Sequence, residues 1–149
     1  MLYLPDINIL IYAKMSGMPE HKKAYAWLDQ TLKDPNSSLL LSETTLLSFL
    51  RIATNAKVFD PPLSYAEAIT FTSGMLKWTN TLVFQPSVEH FIEVAKFMKQ
   101  FRFAGNLTMD AHLAVAALST GATLVTRDGD FDRIPYLKLI NPVGSFSDE

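Results

Sequence analysis

Residues 107–132 read LTMDAHLAVAALSTGATLVTRDGDFD, and the order of signals within them decides the fold class. Thr108 stands where it caps a helix, and Ala111, Ala114, Val115 and Leu118 recur at the spacing of one buried helical face. Gly121 ends that helix, since glycine enters the left-handed backbone of a C-terminal cap without strain. The β-rich run Ala122 to Thr126 follows at once, and then an acid-rich loop. A helix that feeds directly into a strand of this kind is the unit of a parallel sheet covered by helices on both faces.

The same pattern extends toward both ends. Leu2 to Pro5 reads as a strand leading into an apolar helix from Ile7 to Met15, and Pro19 opens an amphipathic helix with Ala24, Trp27 and Leu28 on one face. Leu39 to Leu41 is the next strand, after which Ser42 caps a helix that turns Leu46, Leu47, Leu50 and Ala53 inward. Ser64 and Glu67 make a capping box for a helix running to Trp78. The strand Thr81 to Phe84 and a long helix from Ser87 to Phe101 precede the opening stretch, and Leu137 to Ile140 is the closing strand. No repeat, low-complexity tract or flexible linker divides the chain, so residues 1–149 read as a single α/β domain. Strands separated by helices, often in pairs, imply a mainly parallel central sheet.

Four acids stand where the chain leaves a strand or opens a helix: Asp6, Glu43, Asp110 and Asp128. In an open α/β sheet the carboxyl ends of the strands share one edge, where ligands bind, so these acids can converge on one pocket. Two carboxylates about 4 Å apart repel by roughly 4 kcal/mol at an effective dielectric near 20, and a cluster of them calls for a cation. Magnesium takes oxygen ligands and leaves positions open for phosphate oxygens, which points to a phosphate ester as substrate. Singly, each acid has a structural explanation: Asp6 as a helix cap, Glu43 and Asp110 as first-turn charges favoured by the macrodipole, and Asp128 in a turn.

Composition removes other chemistries. Without cysteine there is no disulfide scaffold, thiolate zinc site or cysteine nucleophile. The 13 basic and 15 acidic residues leave no strong electrostatic footprint for nucleic acid, unless several acids are gathered around metal. Asp128-Gly129-Asp130 mimics the start of a calcium loop, but the sixth and twelfth places of that loop hold Arg133 and Leu139 where Gly and Glu are needed. Nucleophile elbow, Walker loop, dinucleotide fingerprint and H-E-x-x-H are absent. His112 lies about 200° around the helix from Asp110, and His21 and His90 sit in first helical turns, so the histidines read as structural. A receiver-type signalling module fits poorly, because Asp6 has no adjacent acid and Gln85-Pro86 follows the third strand. With the apolar N-terminus broken at Asp6 and no long apolar run, a cytoplasmic protein is the default.

The segments PDINILIYA, SETTLLSFLRIATNAKVF, GNLTMDAHLAVAALSTGATLVT and RDGDFDRIPYLKLINP, in that order, resemble the PIN domain, and specifically the VapC-type toxin ribonucleases of bacterial toxin–antitoxin pairs. The resemblance spans nearly the whole chain. It implies a three-layer α/β/α sandwich and an endoribonuclease dependent on Mg²⁺ or Mn²⁺, acting on structured RNA such as transfer or ribosomal RNA. By resemblance, Asp6 is the central metal ligand with Asn8 in support, Glu43 the second acid, Asp110 the third and Asp128 the fourth. Thr126 is the hydroxyl residue bonded within the cluster, and either Asp128 or Asp130 faces the pocket. Metal ligation falls to Asp6, Asp110 and Asp128. Candidate RNA contacts are Arg51, Lys57 and Arg127, with Lys96, Lys99 and Arg102 as a weaker trio. The implied partners are a VapB-type antitoxin and a second copy of the chain, with Met15, Met18, Phe71, Met75 and Trp78 as candidates for the groove or dimer face. A PIN-like module that only binds RNA or protein is the alternative.

Overall fold

Residues 1–144 are described in a computed structural model of the chain. Five parallel strands form one sheet in the order β3-β2-β1-β4-β5: β1 Leu2–Pro5, β2 Ser38–Leu41, β3 Thr81–Val83, β4 Thr123–Val125 and β5 Leu139–Ile140. The helices are α1 Ile7–Lys14, α2 His21–Lys33, α3 Glu43–Ala53, α4 Tyr65–Leu76, α5 Val88–Phe101 and α6 Thr108–Thr120.

Side chains of a strand alternate between faces, and the core divides accordingly. Leu4, Leu40 and Leu124 pack with α5 and α6 around Phe97, Phe103 and Phe131. Leu39, Leu41 and Val125 pack on the opposite face against α1 to α4, around Ile9, Leu10, Phe49 and Met75. The result is the expected three-layer sandwich, in which an inner strand is apolar on both sides because each side meets helices.

Topology fixes where a ligand can bind. From β1 the chain crosses through α1 and α2 to β2, whereas β4, on the other side of β1, is reached through α5 and α6. β1 and β4 therefore flank the point at which the winding reverses, where a crevice opens beyond the strands' carboxyl ends. The pairing Leu4 with Leu124 and Pro5 with Val125 ends both strands level there, and the Asp6 amide extends it by donating to the Val125 carbonyl at 2.8 Å.

Several local expectations shift. Ser42 occupies the N-cap position of α3 but makes no capping bond, and α6 begins at Thr108 after a short 3-10 turn, Gly105–Leu107, rather than being capped by it. Ser64 and Ser87 do cap, accepting from the amides of Glu67 and His90. Leu47 and Leu118, assigned inward from periodicity, are 57% and 41% exposed, so the buried stripes are narrower than apolar spacing suggested. The outer strands are shorter than expected: β3 stops at Val83 and β5 starts at Leu139.

Candidate active site

Asp6 leaves β1 and caps α1, with Oδ1 accepting from the Ile7 amide at 2.6 Å. Oδ2 accepts from the Thr126 hydroxyl at 2.8 Å, and that hydroxyl in turn accepts from the Asp128 amide at 3.0 Å. One buried threonine thus ties the acid after β1 to the acid after β4. Each carboxylate oxygen of Asp6 still has a lone pair for another partner. Asp128 Oδ1 accepts from the Asp130 amide at 2.9 Å, bending the loop so that both acids stay near α6.

Asp110, in the first turn of α6, completes the group. Oxygens of Asp110, Asp128 and Asp130 lie within 4.8 Å of one another. Burial and then the charges of Asp6, Asp128 and Asp130 push the Asp110 carboxyl up to about 7. Asp6 is raised chiefly by burial, against the lowering effect of its bond from Thr126. Such groups are held together by the fold against their own repulsion. All-oxygen donors at this spacing fit a hard divalent cation, and Asn8 Oδ1, buried on α1 with no hydrogen-bond partner, is a further oxygen awaiting water or ligand.

Asp6 and Asp110 also wall a cavity of about 40 Å³ with Ile7, Thr44, Thr45, Ser48, Met109 and Leu113. It admits water or an ion rather than an organic ligand. α3 contributes hydroxyls, not a carboxylate: Glu43 is exposed at the helix start and belongs neither to the acid group nor to the cavity wall. Thr44, Thr45 and Ser48 went unnoticed in the sequence, although positions i, i+1 and i+4 place three hydroxyls on one helical face. Asp128 and Asp130 both join the group, so the choice between them does not arise.

The basic candidates stand apart. Arg127 is tied to the buried Glu20 by an ion pair and to the Tyr12 hydroxyl at 3.3 Å, with its guanidinium 5.8 Å from the Tyr12 ring centre. Arg51 and Lys57 are exposed. Lys96 bonds Glu93, and Lys99 and Arg102 are solvent-facing.

Opposite the acids, α6 turns His112 toward α3 and α5. His112 Nε2 lies 2.7 Å from Ser42 Oγ and its Nδ1 2.7 Å from His90 Nε2, while Ser42 Oγ is 2.7 Å from Thr44 Oγ1. Phe84 packs on both rings. Burial, and secondarily His90, pushes His112 down to about 4, and burial lowers His90, so both rings are neutral at neutral pH.

The sequence profile of the PIN domain matches residues 3–136. The chain belongs to the PIN-domain family. This PIN domain is 32% identical over 142 residues to Ribonuclease VapC33 of Mycobacterium tuberculosis, a match covering 95% of the chain and 99% of that protein. It is 31% identical to Ribonuclease VapC37 of the same organism, covering 92% of the chain and 94% of the relative. Among solved structures, it superposes on VapBC2 from Rickettsia felis bound to a promoter DNA fragment, with a TM-score of 0.68 at 22% identity over 95% of this chain and 98% of that one. VapBC-1 from nontypeable Haemophilus influenzae gives 0.68 at 23% identity, covering 97% and 100%. These likenesses establish the sandwich as a shared fold.

Proposed function

We propose that this PIN domain is an endoribonuclease dependent on Mg²⁺ or Mn²⁺, the toxin of a VapBC-type toxin–antitoxin pair, hydrolysing phosphodiester bonds in structured RNA. The observation that carries the reading is the group Asp110, Asp128 and Asp130 gathered beside Asp6 at the winding reversal of the sheet. Relatives named as ribonucleases that align over nearly the full chain support it.

In the proposed reaction Asp6, Asp110 and Asp128 hold the divalent cation, with Asp130 at the rim. When bound, the cation lowers the pKa of water and offsets charge on the phosphate. Thr126 keeps one Asp6 oxygen in place and anchors the Asp128 amide, so the carboxylates need little reordering when RNA arrives. No side-chain nucleophile stands in the pocket wall beyond weakly nucleophilic hydroxyls, consistent with attack by water.

The antitoxin reading draws on the VapBC assemblies among the structural neighbours and on two surfaces. Phe71, Met75 and Trp78 line a groove of about 300 Å³ between α2 and α4 with Tyr25, Leu28 and Leu32. Met15 and Met18 line another of about 610 Å³. Val88, Phe91 and Ile92, all exposed on one face of α5, suit a second copy of the chain. Among the described residues no helix is long and apolar enough to cross a membrane, and a cytoplasmic site of action is proposed with the RNA substrate.

The test is cleavage of total transfer and ribosomal RNA by the purified chain, freed of antitoxin, with Mg²⁺, Mn²⁺ or EDTA. Discrete metal-dependent cuts that disappear in Asp6→Asn and Asp110→Asn are expected. Mn²⁺ binding without any cleavage would instead identify a binding-only PIN domain.

A further inference from the structure

Four side chains from three helices and one strand end form a continuous line of hydrogen bonds, His90–His112–Ser42–Thr44, each link 2.7 Å long. Thr44, its last member, walls the cavity that holds Asp6 and Asp110. The first member, His90, has its Nδ1 buried and unpartnered.

Such a line has two possible polarities. In one, Thr44 donates to Ser42, Ser42 to His112 Nε2, and His112 Nδ1–H to His90 Nε2, which forces the proton of His90 onto Nδ1. That leaves a buried N–H with no acceptor, one of the rarest defects in folded proteins. In the other, His90 Nε2–H donates to His112 Nδ1, His112 Nε2–H to Ser42, and Ser42 to Thr44. The orphan is then a bare imidazole lone pair, and the Thr44 proton points away from Ser42. A third arrangement, in which Ser42 accepts from both His112 and Thr44, strands the proton of the buried Ser42 hydroxyl, which has no other partner among the described residues.

We propose that Thr44 is a substrate-binding residue of the acid pocket, its hydroxyl held as a donor to a non-bridging phosphate oxygen by the positioning chain His90–His112–Ser42. The carboxylates of the pocket are acceptors when ionised and cannot serve this role. Ser42 is thereby accounted for: its hydroxyl forgoes the helix cap because it relays orientation from the histidines. The inference rests on the phosphodiester-cleaving reading given above.

Two measurements on the intact chain test it. Long-range ¹H–¹⁵N spectra of the histidine rings should show both His90 and His112 as Nε2–H tautomers, and an Nδ1–H tautomer at His112 would reverse the line and overturn the assignment. Steady-state cleavage of an RNA oligonucleotide should lose about tenfold to a hundredfold in kcat/KM in Thr44→Val, as expected for a hydrogen bond to a charged group, with Mn²⁺ affinity unchanged and activity restored in Thr44→Ser. His90→Phe should give a smaller loss that adds nothing to Thr44→Val, whereas additive losses would reduce the histidines to packing and refute the chain. Full activity in Thr44→Val would refute the phosphate contact. Asp6→Asn is measured alongside: cleavage surviving it defeats the nuclease reading and the phosphate role of Thr44 with it, while the tautomers still decide the polarity of the line.

Discussion

Asp110 and His112 are two residues apart in the first turns of one helix, yet their surroundings are opposites. On the Asp110 side four carboxylates crowd one another, and the Asp110 carboxyl rises to about 7 because burial and three negative neighbours oppose its ionisation. On the His112 side Ser42 and His90, from distant parts of the chain, bond to its two ring nitrogens and Thr44 extends the line from Ser42, leaving a single ring nitrogen, Nδ1 of His90, unpartnered. A region whose polar groups satisfy one another is complete as folded. A region whose charges oppose one another calls for a counter-charge, and that difference separates the acid-rich side of α6 from its hydrogen-bonded side.

The largest break in this contrast is expected from Asp110→Asn, which should lower RNA cleavage by roughly a hundredfold to a thousandfold, the range for losing one preorganised electrostatic group. Adding metal should sharpen it. Saturating Mg²⁺ or Mn²⁺, at about a hundred times its dissociation constant, should stabilise the wild-type fold by about 2.7 kcal/mol in thermal denaturation, and EDTA should abolish the gain. His112→Leu, on the other side, should destabilise the chain by about 1–3 kcal/mol by stranding Ser42 and His90, with Mn²⁺ affinity unchanged in calorimetry.

A subtler effect follows from the sign of the Asp110 shift. Its folded pKa, about 7, lies above the unfolded 3.8, so between those values the metal-free native state binds more protons than the unfolded one. The contribution of this group is most favourable at low pH and is lost as pH rises toward 7. Without metal, Asp110→Asn should therefore gain in melting temperature relative to wild type as pH increases across that window, and a constant difference would contradict the repulsion. The smallest effect belongs to Glu43→Gln. Exposed and outside the acid group, Glu43 should change stability by no more than about 0.5 kcal/mol, and cleavage should stay near wild type. A large loss would mean that Glu43 swings into the pocket on binding RNA.

The acids of the site were largely legible in the chain. Asp6 and Asp128 follow apolar strands and Asp110 opens a helix, and any parallel sheet brings such positions to one edge. Thr126 was visible only through family resemblance, and its bond to Asp6 spans 120 residues. The resemblance also pointed to Glu43, whose position in the first turn of α3 does not reveal which way it faces, and here it faces solvent while Thr44, Thr45 and Ser48 wall the cavity. Arg127 looked like a phosphate contact, but its buried counter-charge, Glu20, is 107 positions away.

By itself the sequence determined the layered α/β architecture, the division of strands and helices, and the acids that gather, because all of these follow from short-range periodicity and from rules that hold for any parallel sheet. Tertiary structure alone decided which hydroxyls meet those acids, which cation is already occupied, and that His112 joins Ser42 and His90 across 70 and 22 residues. Pairings of that kind depend on distances near 2.7 Å between side chains brought together only by packing, and no local pattern in the chain encodes them.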